Sequence, residues 1–250
     1  MKKMGQRFLA HRSPQAANLE RRLFLKQGLS VGALALLSGC ELTDDESVQR
    51  VLMTMSGWND RAQAWLFSPG RLAPEFPESA ITRPFPFNAY YSEEEVVEVQ
   101  GKDFRLALAG RIKEKRPWAL PELYALPQVS QVTRHICVEG WSAIGKWSGV
   151  RFSEFLQRVG ADLSAKYVGF RCADDYYSSI DMATALHPQT QPSFRYADQV
   201  LPPKYGFPMK LRVPTKLGFK NPKHIVEIFV TNDYPGGYWE DKGYNWFSGS

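Results

Sequence analysis

The stretch RHICVEGWSAIGKWSGVRFSEFL, residues 134–156, joins a strand pattern, a turn and a helix pattern around one cysteine, Cys137. Polar and apolar side chains alternate through residues 131–138, which is typical of a β-strand with one buried face. Ser153 is a suitable N-cap for a helix over residues 153–159. The stretch therefore predicts that Cys137 lies near the end of a half-buried strand.

The rest of the chain adds more strand patterns than helix patterns. Apolar residues within 48–66 recur at helical spacing on both sides of Gly57 and predict short helices packed on the domain. Residues 69–87 contain five prolines and are expected to be extended and irregular. Without strict β–α–β alternation or an internal repeat, this order predicts an α+β fold with mixed sheets and flanking short helices. Further strands are predicted over residues 104–109, 167–172, 210–213 and 225–230.

The net charge of +5 is concentrated at the front of the chain. Residues 1–39 hold seven of the 31 lysines and arginines but one of the 26 acidic residues, so residues 40–250 carry 24 basic and 25 acidic residues. That larger part has a net charge of −1 and lacks the basic surface that nucleic acid requires. We therefore expect no nucleic-acid partner.

The front segment has the pattern of an export signal. Arg21 and Arg22 precede LFLK and the apolar run LSVGALALLSG, which is too short to span a bilayer. The pattern resembles the twin-arginine signal, by which bacteria export proteins that fold before they cross the membrane. The sequence LSGC of residues 37–40 resembles a lipobox, in which Cys40 would be lipidated. The alternative is an N-terminal amphipathic helix of a cytosolic protein.

These patterns divide the chain into three regions. We expect residues 1–39 to be a signal peptide, residues 40–85 a tether and N-terminal extension, and residues 86–250 the main domain. The twin-arginine export machinery would deliver the folded chain to the periplasm, and the lipid would hold it at a membrane. A protein that folds before export usually does so because it acquires a cofactor in the cytoplasm. The aromatic segment 235–247 is expected to be a lid packed on the domain or, alternatively, a rim for a substrate or partner.

Spacing alone leaves several roles open for Cys137. It is a core thiol or, with Cys172, half of a disulfide in an oxidising compartment. The cysteines and histidines do not follow zinc-ligand spacing, so a zinc site is not expected. A nucleophilic thiol needs a base, and His135 shares the strand face of Cys137 but lies beside it along the chain. A ligand of another metal is the remaining possibility.

Four segments, in order, resemble the sulfite oxidase superfamily of molybdopterin enzymes. They are closest to the periplasmic branch that includes the catalytic subunit of protein-methionine-sulfoxide reductase. The resemblance covers roughly residues 85–232 and implies a sulfite oxidase-type molybdopterin-binding fold over 86–250. The four segments are residues 134–156, YVGFRC (167–172), SSIDMATALHP (178–188) and VLPPKYGFPMKLRVPTKLGFKNPKHIVEI (200–228).

The resemblance implies a cofactor and a site. The cofactor would be Mo-molybdopterin with one molybdenum ion per chain, and Cys137 would be the protein ligand of the metal, since a soft thiolate suits a metal held by sulfur. Glu139 and Tyr177 are implied as catalytic candidates near the metal, whereas Lys216 is expected to lie in a solvated basic loop. The residues implied to bind the cofactor are Asn88, Tyr91, Ser92, Cys172, Tyr205, Lys210, Asn221, Pro222 and Lys223.

Three positions depart from the reductase pattern and bear on the substrate. Cys172 stands where that pattern has Thr, Tyr205 where it has Asn, and Lys210 where it has Arg. Sulfite oxidases carry arginines close behind the cysteine, whereas this chain has VEGW at 138–141. The resemblance therefore implies reduction of a neutral S-oxide or N-oxide, methionine sulfoxide in proteins being one such substrate.

Three alternatives remain open. They are a sulfite-oxidase-like dehydrogenase, a thiol enzyme that uses Cys137 directly, and a metal-free lipid-anchored scaffold with a Cys137–Cys172 disulfide. No CxxCH haem motif is present, so the expected redox partner is a membrane cytochrome b or a soluble cytochrome c. Since the chain has no room for the immunoglobulin-like dimerisation domain of sulfite oxidases, a monomer is expected.

Overall fold

The computed structural model describes residues 46–66, 68 and 70–249. The twin-arginine pattern and Cys40 lie outside the described residues. The chain divides into two compact units, Met1–Met55 and Ser56–Ser250, and the first is described only over its last ten residues, which are helical. Within the described part of the chain, no helix combines the length and the apolar character needed to cross a membrane.

Helix α1, Glu46–Leu66, runs through Gly57 without interruption. The prediction of separate short helices is therefore wrong. Large apolar side chains of α1 are exposed, Trp58 to 70% and Trp65 to 83%, although the Phe247 N–H donates to Asp60 Oδ1 of this helix at 2.6 Å. A glycine inside a helix costs only about 0.5–1 kcal/mol relative to alanine, which is too little to end a helix of this length.

One sheet contains the parallel pair of the fold. Strand β1 (Arg105–Gly110) runs parallel to β10 (Ile225–Thr231) and antiparallel to β2 (Trp118–Ala119). On the other side, β10 pairs with β5 (Tyr167–Cys172), which pairs with β6 (Tyr177–Asp181), both antiparallel. The order is β2-β1-β10-β5-β6. Because parallel neighbours need a long crossover, the chain between β1 and β10 is free to build the second sheet.

The second sheet is antiparallel and carries the cysteine. Its order is β3-β4-β7-β8, and β9 also pairs with β7, on the edge away from β4. The register pairs every residue of β3 with β4, which makes this hairpin the frame of the site. The strands are β3 (Val129–Ile136), β4 (Ser142–Gly149), β7 (Gln191–Tyr196), β8 (Gln199–Val200) and β9 (Lys210–Arg212).

Short helices and turns complete the domain. Helix α3 (Phe152–Arg158) agrees with the predicted helix over 153–159, although its N-cap is Arg151 and not Ser153. The described strands and few helices confirm the predicted α+β class with mixed sheets. The other short helices are α2 (Leu120–Tyr124) and α4 (Met182–Ala185), and 3₁₀ turns lie at Glu78–Ala80, Glu93–Glu95, Pro203–Tyr205, Gly218–Lys220 and Glu240–Lys242.

The proline-rich segment before residue 86 belongs to the second compact unit. It is mostly extended, as predicted, and the Phe76 N–H donates to the Val132 carbonyl of β3 at 3.0 Å. Phe85 is 4% exposed and packs in an apolar cluster with Trp147 and Tyr205. The boundary between the compact units therefore lies well before residue 86, where the sequence had placed the start of the domain.

Candidate active site

A tight turn after β3 holds Cys137. The Cys137 N–H donates to the Trp141 carbonyl at 2.9 Å, and the Gly140 N–H donates to the Cys137 carbonyl at 3.2 Å. Gly140 has a φ of +92°, which glycine adopts without a steric penalty. Thr133 and His135 of β3 are buried, and the period of two places Cys137 on the same face, 5% exposed.

Two polar side chains converge on the cysteine sulfur. The Asn88 Nδ2 donates to Sγ at 3.1 Å, and Glu139 Oε2 lies 3.6 Å from Sγ. Glu139 is held by the Trp141 indole, whose Nε1 donates to the same oxygen at 2.8 Å. Burial raises the pKa of the Cys137 thiol, and the Glu139 carboxylate adds to this effect while Asn88 opposes it. This setting does not favour a free nucleophilic thiolate at neutral pH.

The disulfide of the scaffold alternative does not form. Cys137 and Cys172 are both free and buried. Cys172 ends β5, and burial raises the pKa of its thiol well above the ordinary value, with the nearby Asp174 carboxylate as a second cause. The Cys137–Cys172 bridge of that alternative is therefore not present in this structure.

Cys137 opens onto a cavity of about 570 Å³, a volume that includes space open to solvent. Six of its lining residues were predicted from the sequence, and they come from separate segments of the chain. Aromatic walls that the sequence analysis did not assign to the site complete it: Tyr90, Tyr176, Phe219 and Trp239. The six named before are Asn88, Cys137, Glu139, Asn221, Pro222 and Lys223.

Tyr177 does not line this cavity. Its hydroxyl donates to the Asp241 carboxylate, which is the main reason that the pKa of Tyr177 rises to about 12. The preceding residue, Tyr176, does line the cavity, and its hydroxyl donates to the Phe219 carbonyl at 2.7 Å. Successive side chains of an extended chain point in opposite directions. A prediction that is shifted by one residue therefore selects a side chain that points away from the cavity.

Two predicted residues of the segment after Asn88 do not themselves line the cavity. The Tyr91 hydroxyl donates to Asp174 Oδ2 at 2.7 Å. Ser92 is exposed and caps the following 3₁₀ turn, where its N–H donates to Glu95 Oε2 at 2.9 Å. These contacts fix the path of the segment, and the cofactor contacts of Tyr91 and Ser92 stay predictions.

Tyr205 and Lys210 lie behind the cavity wall. The Tyr205 hydroxyl donates to the Phe85 carbonyl at 2.9 Å, so it is already used inside the protein. Lys210 is 3% exposed, and its Nζ lies 4.9 Å from the centroid of the Trp147 ring. Burial lowers the pKa of Lys210 well below the ordinary value, and the charge of Lys223 adds to the effect.

The expectation of a solvated loop at Lys216 is wrong. Lys216 is 3% exposed, its Nζ donates to the Phe247 carbonyl at 2.8 Å, and it lies 3.8 Å from Asp181 Oδ2. Burial lowers the pKa of Lys216 to about 7. The residues near the end of the chain cover this lysine, because the Leu217 N–H donates to the Ser248 carbonyl beside it.

A buried arginine that the sequence pattern did not indicate links strand β3, which leads to Cys137, to the turn at Asn221. Arg212 of β9 is 1% exposed and donates to His135 Nδ1 and to Asn221 Oδ1. Asn221 Oδ1 also accepts from the Val213 N–H, and its Nδ2 donates to the Leu217 carbonyl. The side chain of Asn221 therefore braces the turn, which leaves backbone groups of the turn for a ligand. The alternation of Arg212 with Leu211 and Val213 gave no sign that the arginine was buried.

Three buried cations lie close together near the cavity. Burial lowers the pKa of Lys223 to about 8 and that of Arg212 to about 9, and Lys210 is shifted in the same direction. The Lys210 pKa is further lowered by the charges of both Lys223 and Arg212, so the three share one region. An anion bound there would relieve this repulsion.

The residues fit an anionic pterin cofactor. The cation cluster suits a phosphate, and the Asn88 amide supports a metal-bound sulfur. The buried His135 Nε2 has no hydrogen-bond partner among the described residues. A Cβ at Gly218 would lie 2.5 Å from that nitrogen, so only glycine fits this part of the cavity wall. In the described residues, no group of three or more His, Cys, Asp or Glu side chains is arranged to hold a metal ion by itself.

Comparison with known proteins adds family and fold. Residues 93–239 match the family described as oxidoreductase molybdopterin binding domain. A protein of Azospira oryzae, provisionally named protein-methionine-sulfoxide reductase subunit YedZ1, is 67% identical over 230 residues, which are 92% of this chain and 88% of that protein. The protein-methionine-sulfoxide reductase catalytic subunit MsrP of Ralstonia nicotianae is 30% identical over 152 residues, 54% of this chain and 46% of that one.

A solved structure shares the fold. The sulfane dehydrogenase SoxCD of Paracoccus pantotrophus matches with a TM-score of 0.52 and 17% identity, over 55% of this chain and 40% of that one. At this identity the likeness shows architecture and carries no activity.

Proposed function

We propose, since the chain belongs to the oxidoreductase molybdopterin-binding domain family, that this oxidoreductase is a molybdenum-dependent enzyme that removes an oxygen atom from a neutral sulfoxide or N-oxide. The observation that carries the proposal is the convergence of Asn88 and Glu139 on the sulfur of Cys137, in a cavity whose wall includes the cation Lys223.

The chain would bind the cofactor at its metal and at its phosphate. Cys137 Sγ would coordinate molybdenum as a thiolate, and the Asn88 amide would stabilise the charge on that sulfur by its hydrogen bond. Lys223 and the backbone of the Asn221–Pro222 turn would bind the phosphate, while Lys210 adds charge from behind. When bound, the molybdenum–pterin group supplies two-electron oxygen-atom transfer.

Glu139 is the residue best placed to handle protons. Reduction of a sulfoxide takes two electrons and two protons and yields a thioether and water, so a proton carrier is needed beside the reacting atoms. The Glu139 Oε2 lies 3.6 Å from Sγ and is held there by the Trp141 indole. We assign to this oxygen the transfer of protons between solvent and the departing oxygen.

The walls favour a neutral substrate. Tyr90, Tyr176 and Trp239 offer apolar surface for the carbon groups of a sulfoxide. Glu139 and Asp174 also line the cavity, and their carboxylates would repel a dianion such as sulfite. Methionine sulfoxide, free or in a protein, has apolar carbon groups and a sulfoxide without net charge. The names of the relatives above indicate the same substrate class.

The remaining parts of the proposal concern delivery and electrons. We propose that residues 1–39 direct export by the twin-arginine route, that Cys40 carries the lipid anchor, and that residues 40–85 and 86–250 act in the periplasm. The relatives are named as subunits, which supports a separate redox partner, for which we propose a membrane cytochrome b or a soluble cytochrome c. The monomeric state stays a prediction.

The test is turnover by the purified, exported chain. With a reduced viologen dye as electron donor, we expect reduction of methionine sulfoxide, free and in an oxidised peptide, and little oxidation of sulfite with cytochrome c as acceptor. Gly57→Ala, a change in α1 where an added Cβ meets no atom within 4 Å, is the control and should leave both rates unchanged. Efficient sulfite oxidation without sulfoxide reduction would overturn the substrate assignment, and no redox activity in a well-folded chain would favour the scaffold alternative.

A further inference from the structure

Arg212 connects β3 to the turn at the cavity wall through one buried guanidinium. Its Nη1 donates to His135 Nδ1 at 3.1 Å and to Asn221 Oδ1 at 2.7 Å. Its Nη2 donates to Thr133 Oγ1 at 3.1 Å and to the Arg134 carbonyl at 3.3 Å. All four acceptors are neutral, so the arginine is placed by hydrogen-bond geometry and not by an opposite charge.

The contact with Arg212 fixes the tautomer of His135. A guanidinium carries only donors, so Nδ1 of the imidazole must accept with a lone pair. In the neutral ring the proton then sits on Nε2. This Nε2–H is buried and has no partner among the described residues. A buried donor without an acceptor costs about 1–3 kcal/mol, which calls for a ligand that the donor serves.

The surroundings of the imidazole point toward the cavity. The rings of Phe85 and Trp141 lie at centroid distances of 6.0 and 5.7 Å and offer no conventional acceptor. The Nε2 faces Gly218, which lines the cavity with Cys137, and an added Cβ there would come within 2.5 Å of it. Glycine thus lets the donor lie directly behind the wall, two residues from Cys137 on the same strand face.

We propose that His135 is a cofactor-binding residue and that Arg212 is its positioning residue. Arg212 holds the imidazole as the Nε2–H tautomer, and this donor is kept for an anionic group of the pterin cofactor beside Cys137. The inference rests on the proposed function, because that function supplies the cofactor. It adds two residues to the set that the resemblance implied.

The same guanidinium explains why arginine is needed at this position. Arg212 Nη1 also holds Asn221, the residue that braces the turn carrying Pro222 and Lys223. A lysine would keep the charge but could not bond one strand and a turn at once with a planar fork. Arg212 thereby sets the distance between the Cys137 strand and the phosphate-binding turn without touching the cofactor.

The experiment measures the tautomer and the cofactor content of the holoenzyme. Full chains purified after export are compared as wild type, Arg212→Lys, Arg212→Met, His135→Gln and His135→Phe. In ¹⁵N spectra of wild-type protein labelled at histidine, we expect His135 to show a protonated Nε2 and an unprotonated Nδ1. The dissociation constant of the cofactor, measured from the molybdenum and pterin retained after dialysis against a series of volumes, should rise about fivefold in His135→Phe, the effect of one lost hydrogen bond of about 1 kcal/mol.

The conservative variants separate a ligand contact from a packing role. His135→Gln offers an amide donor at a similar reach and should retain more cofactor than His135→Phe. Arg212→Lys should lie between the wild type and Arg212→Met, and Arg212→Met should lose the fixed tautomer. Lys216→Met, which removes another buried cation outside this network, is the matched control and should lower stability without changing the molybdenum content.

Different failures have different meanings. A wild-type His135 protonated on Nδ1 would overturn the inference, as would wild-type molybdenum content in both His135→Phe and Arg212→Met. If the Arg212 variants do not fold, the wild-type spectrum and the two His135 variants decide. A wild-type chain without molybdenum would refute the proposed function itself, and the role of His135 with it.

Discussion

Replacing Lys220 by methionine removes one partner of a buried ion pair that holds the segment near the end of the chain against the cavity. The Lys220 Nζ contacts Glu240 Oε1, and the two side chains are 1% and 2% exposed. The ammonium also donates to the Ser179 carbonyl at 2.9 Å and lies 5.0 Å from the centroid of the Trp246 ring. Both charges depend on each other because water does not reach them.

The size of the effect follows from this burial. Breaking a buried pair by removing one partner costs about 3–5 kcal/mol, because the remaining charge has no compensation. Burial already lowers the pKa of Lys220, and Glu240 opposes that shift by attraction and a hydrogen bond. Replacing both residues by apolar side chains removes both desolvation penalties. We therefore expect Lys220→Met and Glu240→Leu to lose about 3–5 kcal/mol each, and the double variant Lys220→Met/Glu240→Leu to lose less than either single variant.

The assay is urea unfolding at pH 7, followed by tryptophan fluorescence. The four proteins form a double-mutant cycle, and its coupling energy isolates the pair. Because Trp239 lines the cavity next to Glu240, the single variants should also raise the KM for a sulfoxide more than they lower kcat. Two results would contradict a stabilising buried ion pair. One is a free energy of unfolding within about 1 kcal/mol of wild type in each single variant, and the other is a double variant that loses the sum of the two single losses.

Further perturbations test other parts of the site. Gly218→Ala should cost about 1–3 kcal/mol and lower the molybdenum content, because its Cβ would overlap His135, whereas Gly57→Ala should stabilise by about 0.5–1 kcal/mol in the same unfolding assay. Glu139→Gln should keep its cofactor but lose about 10²-fold in kcat for sulfoxide reduction, and an unchanged kcat would remove it from proton transfer. The folded-state pKa of Lys216, about 7, lies below the unfolded value near 10.4, so the unfolded chain binds more protons between these pH values and stability rises with pH. From pH 7 to 9 wild type should therefore gain about 2 kcal/mol relative to Lys216→Met, and parallel stability curves would contradict this.

The main strands could be predicted because their runs are rich in β-branched and aromatic residues, which fit a pleated and partly buried surface. The predicted strand over 167–172 coincides with Tyr167–Cys172, and that over 225–230 lies within Ile225–Thr231. Strand β4 was missed because Gly145, Lys146 and Gly149 interrupt the apolar pattern. There the pairing with β3 decides the structure, since tertiary context overrides local β-propensity.

The site could be predicted where the proposed chemistry requires a particular residue type. Cys137, Asn88 and Lys223 meet at one cavity, as the resemblance implied. Arg212 could not be found from sequence, since an arginine is most often exposed and only the packing of three segments shows that this one is buried. Tyr176 was missed for a smaller reason, because the direction of a side chain at the start of a strand changes with each residue.

The central claim, that Cys137 binds the molybdenum of a pterin cofactor, is tested most directly by elemental mass spectrometry. Wild-type protein exported through the twin-arginine route would be compared with Cys137→Ser, and the folding of both would be checked by near-ultraviolet circular dichroism. The account predicts about one molybdenum per wild-type chain and loss of the metal or of activity in the variant. A well-folded wild-type chain without molybdenum, or a Cys137→Ser variant with full metal content and full activity, would contradict it.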